Sequence, residues 1–316
     1  MLEKCRAGQW SADDLDWSLP APEFSPQRER MVVQTFMNMA GIEKLAGALF
    51  AVQRERVDDP VLQEILGTFV VDEDRHSVVA QRLAEHYNRR RLTLYRPDPA
   101  LVRFTPVFRD VVRQVPPDVA TTYIIVGELI LDIALLRSLD DFVDDPMSAQ
   151  VMHLINRDES RHIAVDFHMV EHYCAPAYRA SLEREGALGR RSQVRQALQV
   201  ARLLQRASPF IQSVFFGPMA SLDPSQRRMR EAFKRIQLLG QRPDIANRPF
   251  SRFMLRLYQL FNTPVVGAVL GPAISAIIGI DPALLQTLYT RGEAREASTM
   301  SFDEHAASAL QAKYAT

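Results

Sequence analysis

The sequence has little of what marks disulfide-rich, nucleotide-binding or strongly charged proteins. Only two of its 316 residues are cysteines, Cys5 and Cys174, and they form no C-x-x-C pair, which is typical of a reducing cytoplasm. The formal net charge is zero, and neither a P-loop nor a G-x-G-x-x-G motif is present. The N-terminus has no apolar signal-peptide core. We therefore predict a cytoplasmic protein that binds no nucleic acid and has no recognisable nucleotide site.

Glycines are also sparse through residues 28–174, and no segment alternates apolar and polar residues as a strand would. Apolar residues recur instead at three- and four-residue spacing, as Val32, Phe36 and Met39 do. This pattern predicts an all-α fold, in which a long crossover joins two helix pairs into a four-helix bundle. The predicted helices lie near residues 28–57, 60–89, 101–114, 118–140, 146–173, 190–207 and 223–240.

One long uncharged run, residues 257–280, leaves alternatives open. Its 24 residues are enough to span a bilayer, but Pro264, Pro272 and three glycines interrupt them. We interpret it as a pair of short buried helices broken at the prolines. A hairpin on a membrane surface and a true membrane span are the alternatives.

The most informative feature of the sequence is a motif written twice. The pattern D-E-x-R-H occupies residues 72–76 and again residues 158–162, an offset of 86 residues. A histidine–tyrosine pair follows each copy at the same distance, as residues 86–87 and 172–173. At ~1.5 Å per residue these pairs lie about 15 Å further along their helices, so we expect them to pack at the bundle end. The repetition itself predicts two similar halves.

Each copy supplies a glutamate and a histidine on one helical face, because residues three apart are neighbours there. A further glutamate lies upstream of each copy, within an apolar helical run where a buried charge needs a partner. Carboxylates and imidazoles together suit iron, manganese or zinc, and this order is that of a helical di-metal site. The predicted metal ligands are Glu43, Glu73, His76, Glu128, Glu159 and His162. We predict His153 and His168, which have no counterpart in the other half, to be non-ligands.

The residues flanking the ligands also have predicted roles. Asp72 and Asp158 are placed to accept the free ring N–H of a ligand histidine from the other half, which would fix its orientation. Arg75 and Arg161 either pair with these aspartates or lie on a solvated surface. The apolar residues near the ligands suggest a wall of the substrate pocket, and plain bundle core is the alternative that we favour for any one of them. These residues are Phe36, Met39, Phe50, Tyr123 and Ile124.

These residues resemble the ferritin-like di-iron carboxylate oxygenases, whose ligand order is E…E-x-x-H…E…E-x-x-H. The D-E-x-R-H motif is similar to the signature of bacterial multicomponent monooxygenase hydroxylases, and the ligand spacings resemble the p-aminobenzoate N-oxygenase group. The resemblance covers residues 28–175. It implies a ferritin-like bundle that binds two iron ions, or a manganese–iron pair, and uses O2 to hydroxylate or N-oxygenate a small or acyl substrate. The regions expected are an N-terminal arm (1–27), the di-metal bundle (28–175) and a helical extension packing on it (176–316).

One position departs from the p-aminobenzoate N-oxygenase pattern. That group has an additional histidine ligand one turn before the last ligand glutamate, where this chain has Ile155. The departure predicts a site with two histidines and argues against arylamine N-oxygenation. Two alternatives remain: a ferroxidase or iron-binding protein without organic substrate, and a radical-generating reductase-like subunit. Against the latter, Ala80 stands where that family has its tyrosine.

The expected partners follow from what the chain lacks. Because no reductase motif is present, turnover would require O2, a small-molecule or carrier-bound substrate, and an external electron donor. Residues 181–245 carry 12 basic and 5 acidic residues, including an arginine stripe at helical spacing. This stripe is either a solvated face or a dock for an acidic partner or anionic lipid; it consists of Arg191, Arg195, Arg202 and Arg206. Peripheral membrane contact through residues 257–280 and a homodimer are left open.

Overall fold

A computed structural model describes residues 1–91, 95–185, 190–246, 249–263 and 280–314, together with residues 265, 269, 271–273 and 276. Within these residues the chain is helical and contains no strand. The predicted all-α class is therefore confirmed. The structure describes only parts of the 257–280 segment, so our interpretation of that segment stays a prediction.

Four long helical segments form the bundle: α2 (Pro26–Arg54), α3 (Pro60–Tyr87), a segment that begins with α5 (Pro117–Ile130), and α7 (Pro146–Cys174). Each begins with proline, which is pre-organised for the first helical position and has no N–H to leave unpaired. In three of them the preceding residue caps the helix, since Ser25, Asp59 and Asp145 accept hydrogen bonds from first-turn N–H groups. The predicted bounds were therefore correct to within a few residues.

The third bundle segment contains a feature that the sequence did not predict. After α5 the helix continues through a π-helical turn, Leu131–Leu136, into α6 (Arg137–Val143). Asp144 ends it with a left-handed backbone (φ 50°). Such π-helical turns are rare and occur frequently at functional sites. Here the turn begins three residues after Glu128.

Shorter helices precede, connect and follow these segments in the part of the chain that the structure describes. In chain order they are α1 (Leu2–Ala7), α4 (Pro99–Gln114), α8 (Pro176–Glu185), α9 (Arg190–Phe210), α10 (Gly217–Leu222), α11 (Arg227–Leu239), α12 (Pro243–Ala246), α13 (Pro249–Phe261), α14 (Arg291–Thr299) and α15 (Phe302–Tyr314). The crossover helix α4 packs on α2 and α9, α11 packs on α5 and the π turn, and α15 packs on α7. The division into arm, bundle and extension stays a prediction.

The N-terminal arm contains α1 and a 3-10 turn, Ala12–Asp14, which Ser11 caps. Cys5, fully buried, anchors α1 to the main core.

Among the described residues one helical run, Pro117–Val143, is long and apolar enough to cross a membrane, but 67% of its apolar window is buried inside the protein. That burial is the pattern of a bundle core helix.

Candidate metal centre

The structure brings all six predicted ligands into the interior of the bundle, one set from each half. Five of them are fully buried, and Glu128 is 5% exposed. The burial follows from helical periodicity, because each ligand lies on the apolar stripe that its helix turns toward the core. The two similar halves of the sequence thus place equivalent side chains around one centre.

The ligand atoms form two overlapping groups. One contains Glu43, Glu73, His76 and Glu159, and the other contains Glu128, Glu159 and His162; in each group the potential ligand atoms lie within 4.8 Å of one another. Glu159 belongs to both groups. This arrangement has the form of two adjacent cation sites joined by a bridging carboxylate.

Both histidines turn the same ring nitrogen toward the carboxylates. His76 Nδ1 lies 3.1 Å from Glu159 Oε1, and His162 Nδ1 lies 2.9 Å from Glu159 Oε2 and 3.1 Å from Glu73 Oε1. The opposite nitrogens face outward, each to an aspartate of the other half. Nδ1 is therefore the atom that each ring offers to a cation.

These outward contacts cross between the halves. His76 Nε2 lies 3.2 Å from Asp158 Oδ2, and His162 Nε2 lies 3.4 Å from Asp72 Oδ2. The sequence predicted such a cross-half pairing. A carboxylate at Nε2 holds the proton there and leaves Nδ1 free to bind a metal.

The two arginines tie the aspartates together and lie away from bulk solvent. Arg161 Nη2 donates to Asp158 Oδ1 at 2.8 Å and to Asp72 Oδ2 at 3.3 Å. Arg75 contacts both aspartates as well, with Nη2 at 3.1 Å from Asp158 Oδ2 and in a close ion pair with Asp72. Of the two alternatives for these arginines, the structure places them in the paired arrangement. The four side chains form one charge-balanced network behind the histidines.

The N-terminal arm covers this network, which the sequence gave no reason to expect. Trp10 Nε1 donates to Asp158 Oδ2 at 2.7 Å, and Gln9 Nε2 donates to Asp72 Oδ1 at 2.9 Å. The Trp10 ring also lies 4.8 Å from the Arg75 guanidinium carbon, a distance at which cation–π attraction operates. The arm thus supplies hydrogen bonds to both aspartates and shields them from water.

Two glutamates of this centre have raised pKa values and buried oxygens without hydrogen bonds. Burial, together with the neighbouring charges of Glu73 and Glu159, raises the pKa of Glu43 well above its ordinary value. Burial and the same two neighbours raise the pKa of Glu128 in the same direction. Both oxygens of Glu43 and one of Glu128 are buried without a hydrogen bond. Leaving buried carboxylates uncompensated costs several kcal/mol each, whereas divalent cations would neutralise them, so this donor set fits a metal pair.

The pKa values of the two histidines shift in the direction opposite to the one that burial alone would give. Burial opposes their protonation, yet hydrogen bonding to Asp158 raises the pKa of His76 and the charge of Glu159 raises the pKa of His162, both well above the ordinary value. The same contact with His162 lowers the pKa of Glu159 well below its ordinary range, against the effect of burial. A cation that binds at the histidines would therefore compete with protons.

Three further charged residues lie fully buried near the centre, and sequence reasoning missed them. Asp132 and Asp166 follow Glu128 and His162 by four residues, one helical turn on. Lys313, from α15, lies with Nζ 3.4 Å from Asp132 Oδ1 and donates to the Asn156 carbonyl at 3.0 Å. The aspartates carry the same signal as Glu128, a charge inside an apolar helical run. No local pattern marked Lys313.

The remaining predicted residues are placed as follows. His153 and His168 are exposed, consistent with their being non-ligands, and Ile155 is fully buried. Of the arginine stripe, Arg202 and Arg206 are exposed, while the side chains of the other two lie outside the described residues.

A cavity of about 200 Å³ adjoins the centre at Glu128. Residues of α2, α4, α5 and α11 also line it, together with residues of a second π-helical turn, Ile211–Phe216, which follows α9. Tyr123 and Ile124 line this cavity, as the predicted pocket wall requires. The other three predicted wall residues do not: Phe36, Met39 and Phe50 are fully buried in the packed core. They share the stripe of α2 that carries Glu43, whereas the cavity is lined by the adjacent stripe, 42, 45, 46 and 49.

Comparison with known proteins agrees with this geometry. Residues 54–188 match the family model described as P-aminobenzoate N-oxygenase AurF. The matched region contains five of the six predicted ligands and the helices α3 to α8. No curated protein and no solved structure matches the chain. The predicted resemblance to the p-aminobenzoate N-oxygenase group is thus confirmed over residues 54–188; that group has a ferritin-like helical fold and consists of di-iron oxidoreductases.

Proposed function

We propose that the protein is an O2-activating oxygenase with two iron ions, or a manganese–iron pair, held by Glu43, Glu73, His76, Glu128, Glu159 and His162. The observation that carries the proposal is the overlap of the two ligand groups at Glu159, within a fully buried centre. A solvated acidic patch would not require a cation, but this one has carboxylate oxygens buried without partners.

The metal pair would supply the redox chemistry of O2, while the protein supplies geometry and shielding. Glu159 contacts both histidines and Glu73 contacts His162, so these side chains would hold the cations together. Asp72 and Asp158 hold the Nε2 protons, so that each Nδ1 faces the centre. In hydroxylation or N-oxygenation one oxygen atom goes to the substrate and the other leaves as water. Turnover therefore requires an external electron donor.

The cavity beside Glu128 favours an organic substrate over a ferroxidase without one. A ferroxidase needs a polar route for iron, whereas the described lining of this cavity is almost wholly apolar. The radical-generating alternative has less support, because the position of its tyrosine is the fully buried Ala80. A carrier-bound acyl group and a free small molecule both remain within the proposal.

Metal analysis followed by reaction with O2 tests the proposed function. Protein expressed with iron should contain two metal ions per chain, and anaerobic reduction followed by O2 should change its optical spectrum. His162→Ala should lose metal, because its Nδ1 belongs to the predicted ligand set, whereas His172→Ala, in the same helix but exposed, should keep it. Less than one metal ion per wild-type chain, or equal metal in both variants, would refute the assignment.

Substrate dependence separates the oxygenase from the ferroxidase. The reduced protein should consume O2 faster when an accepted organic substrate is present and should form an oxygenated product. O2 consumption driven only by added ferrous iron, with no oxygenated organic product, would favour the ferroxidase.

A further inference from the structure

The chemistry of the cavity beside Glu128 indicates what kind of group it can hold. Among the described residues that line it, only Tyr123 and Glu128 have polar side chains, and none is Lys, Arg or His. Seven of the lining residues are aromatic. Phe104 and Phe210 stack with ring centroids 4.3 Å apart, and Phe215 meets Phe210 edge-on at 5.2 Å. The walls therefore offer ring faces and aliphatic groups.

The cavity does not suit an anionic ligand, because its described lining has no cationic side chain. A carboxylate placed in the cavity would lose its hydration without gaining a cationic side chain from the described lining. A neutral group avoids this cost, and its apolar surface is removed from water on binding.

The size of the cavity and a glycine beside the ligand glutamate limit the ligand further. A cavity of roughly 150 Å³ holds benzene, so about 200 Å³ suits one substituted ring or an alkyl group of similar volume. At Gly127, which lines the cavity next to Glu128, an added Cβ would meet no atom within 4 Å. The missing side chain leaves open space beside the candidate metal centre.

Resting on the proposed function, we propose that the substrate enters this cavity as an uncharged apolar group of about single-ring size, with its reacting atom toward Glu128. The carboxylate that p-aminobenzoate carries is excluded from the cavity. Any charged part of the substrate, such as a carrier-linked end, lies outside these walls.

A matched pair of ligands tests the charge requirement on wild-type protein loaded with iron. Methyl 4-aminobenzoate and 4-aminobenzoate have the same ring and amine, but at pH 7.5 only the latter is anionic. Calorimetric titration should show the ester binding at least about 100-fold more tightly, because only the acid has a charge to desolvate. Equal or tighter binding of the acid, or no binding of the ester, overturns the proposal. 1-Hexanol, titrated in parallel, distinguishes an aryl from an alkyl occupant.

A cavity-filling series tests the location. Gly127→Leu should weaken ester binding at least about 10-fold and Gly127→Ala less, because the added Cβ meets no atom within 4 Å and the larger side chain fills more of the cavity. Gly67→Ala is the control, since Gly67 lies within α3 and outside the cavity, and it should not change ester binding. Unchanged binding in Gly127→Leu would place the ligand elsewhere and overturn the proposal.

The two proposals fail differently in these experiments. Ester binding can be measured on protein with and without metal, since the walls themselves are apolar. Protein that binds the ester at Gly127 but takes up no metal would contradict the proposed function alone. Protein that holds two metal ions but prefers the acid would contradict the substrate class alone.

Discussion

Replacement of Lys313 by methionine tests how the C-terminal helix supports the candidate metal centre. Lys313 is fully buried, and its ammonium lies 3.4 Å from Asp132 Oδ1. Burial raises the pKa of Asp132 to about 7, and Lys313 holds it from rising further. Methionine keeps the volume of the side chain but removes the charge, so the pKa of Asp132 should rise above 7 in Lys313→Met.

The magnitude follows from the linkage between proton binding and stability. An aspartate whose pKa is raised in the folded state takes up a proton on folding, so the free energy of unfolding falls as pH rises from about 4 to the folded pKa. In the wild type, Asp132 stops lowering the free energy of unfolding near pH 7. In Lys313→Met it continues to lower the free energy of unfolding above pH 7. One pH unit corresponds to about 1.4 kcal/mol. The variant should therefore lose about 2 kcal/mol relative to the wild type between pH 7 and pH 8.5.

Denaturant unfolding of chelator-treated protein at pH 6.0 and pH 8.5 measures this difference. At pH 6.0 Asp132 is mostly protonated in both proteins, so their stabilities should be close. The double variant Asp132→Asn/Lys313→Met should remove the pH dependence of the difference. Lys234→Met is the control, because Lys234 pairs with Glu293 near the surface, where such a pair contributes about 0–1 kcal/mol. A destabilisation by Lys313→Met that is the same at both pH values would refute the reasoning.

Three further predictions concern the metal centre. Asp158→Asn should lower metal affinity about 10- to 100-fold with the fold retained, as a competition titration with a chelating dye would show; unchanged affinity would contradict the role of Asp158. Gly47→Ala should also weaken metal binding, because its added Cβ would lie 3.1 Å from Glu73 Cβ and displace that ligand; wild-type metal content in this variant would argue against it. Since the pKa values of Glu43 and Glu128 are raised, metal binding should release protons and strengthen with pH, and calorimetry in buffers of different ionisation enthalpy would detect the release. Metal affinity independent of pH would exclude it.

Much of the fold was predictable because its signals are local. A capping Ser or Asp followed by proline marks the start of α2, α3 and α7, and the three- and four-residue spacing of apolar residues marks their length. The π-helical turn after Glu128 was not predictable. It depends on how α5 and α6 pack against α7 and α11, which no spacing within residues 117–143 reveals.

The candidate site also combines residues that the sequence predicts with contacts that it does not predict. The two E-x-x-H pairs share a helical face by spacing alone, so their convergence needed only that the halves pack together. Asp132 is different: its burial in an apolar run was visible, but its partner Lys313 lies 181 residues away in the chain. Trp10 likewise meets Asp158 across 148 residues. Neither of the two stretches of sequence that meet in such a contact contains a pattern that predicts it.

The sequence alone thus determined the helical class, the doubled motif and the six candidate ligand residues, because helical periodicity fixes which side chains share a face. The tertiary structure decided which stripe of α2 faces the centre and which faces the cavity, since neighbouring helices determine what each stripe meets. It also decided that the N-terminal arm covers the aspartates and that α15 places Lys313 beside Asp132. These are packing outcomes between distant segments, and they alone show that an apolar cavity ends at Glu128.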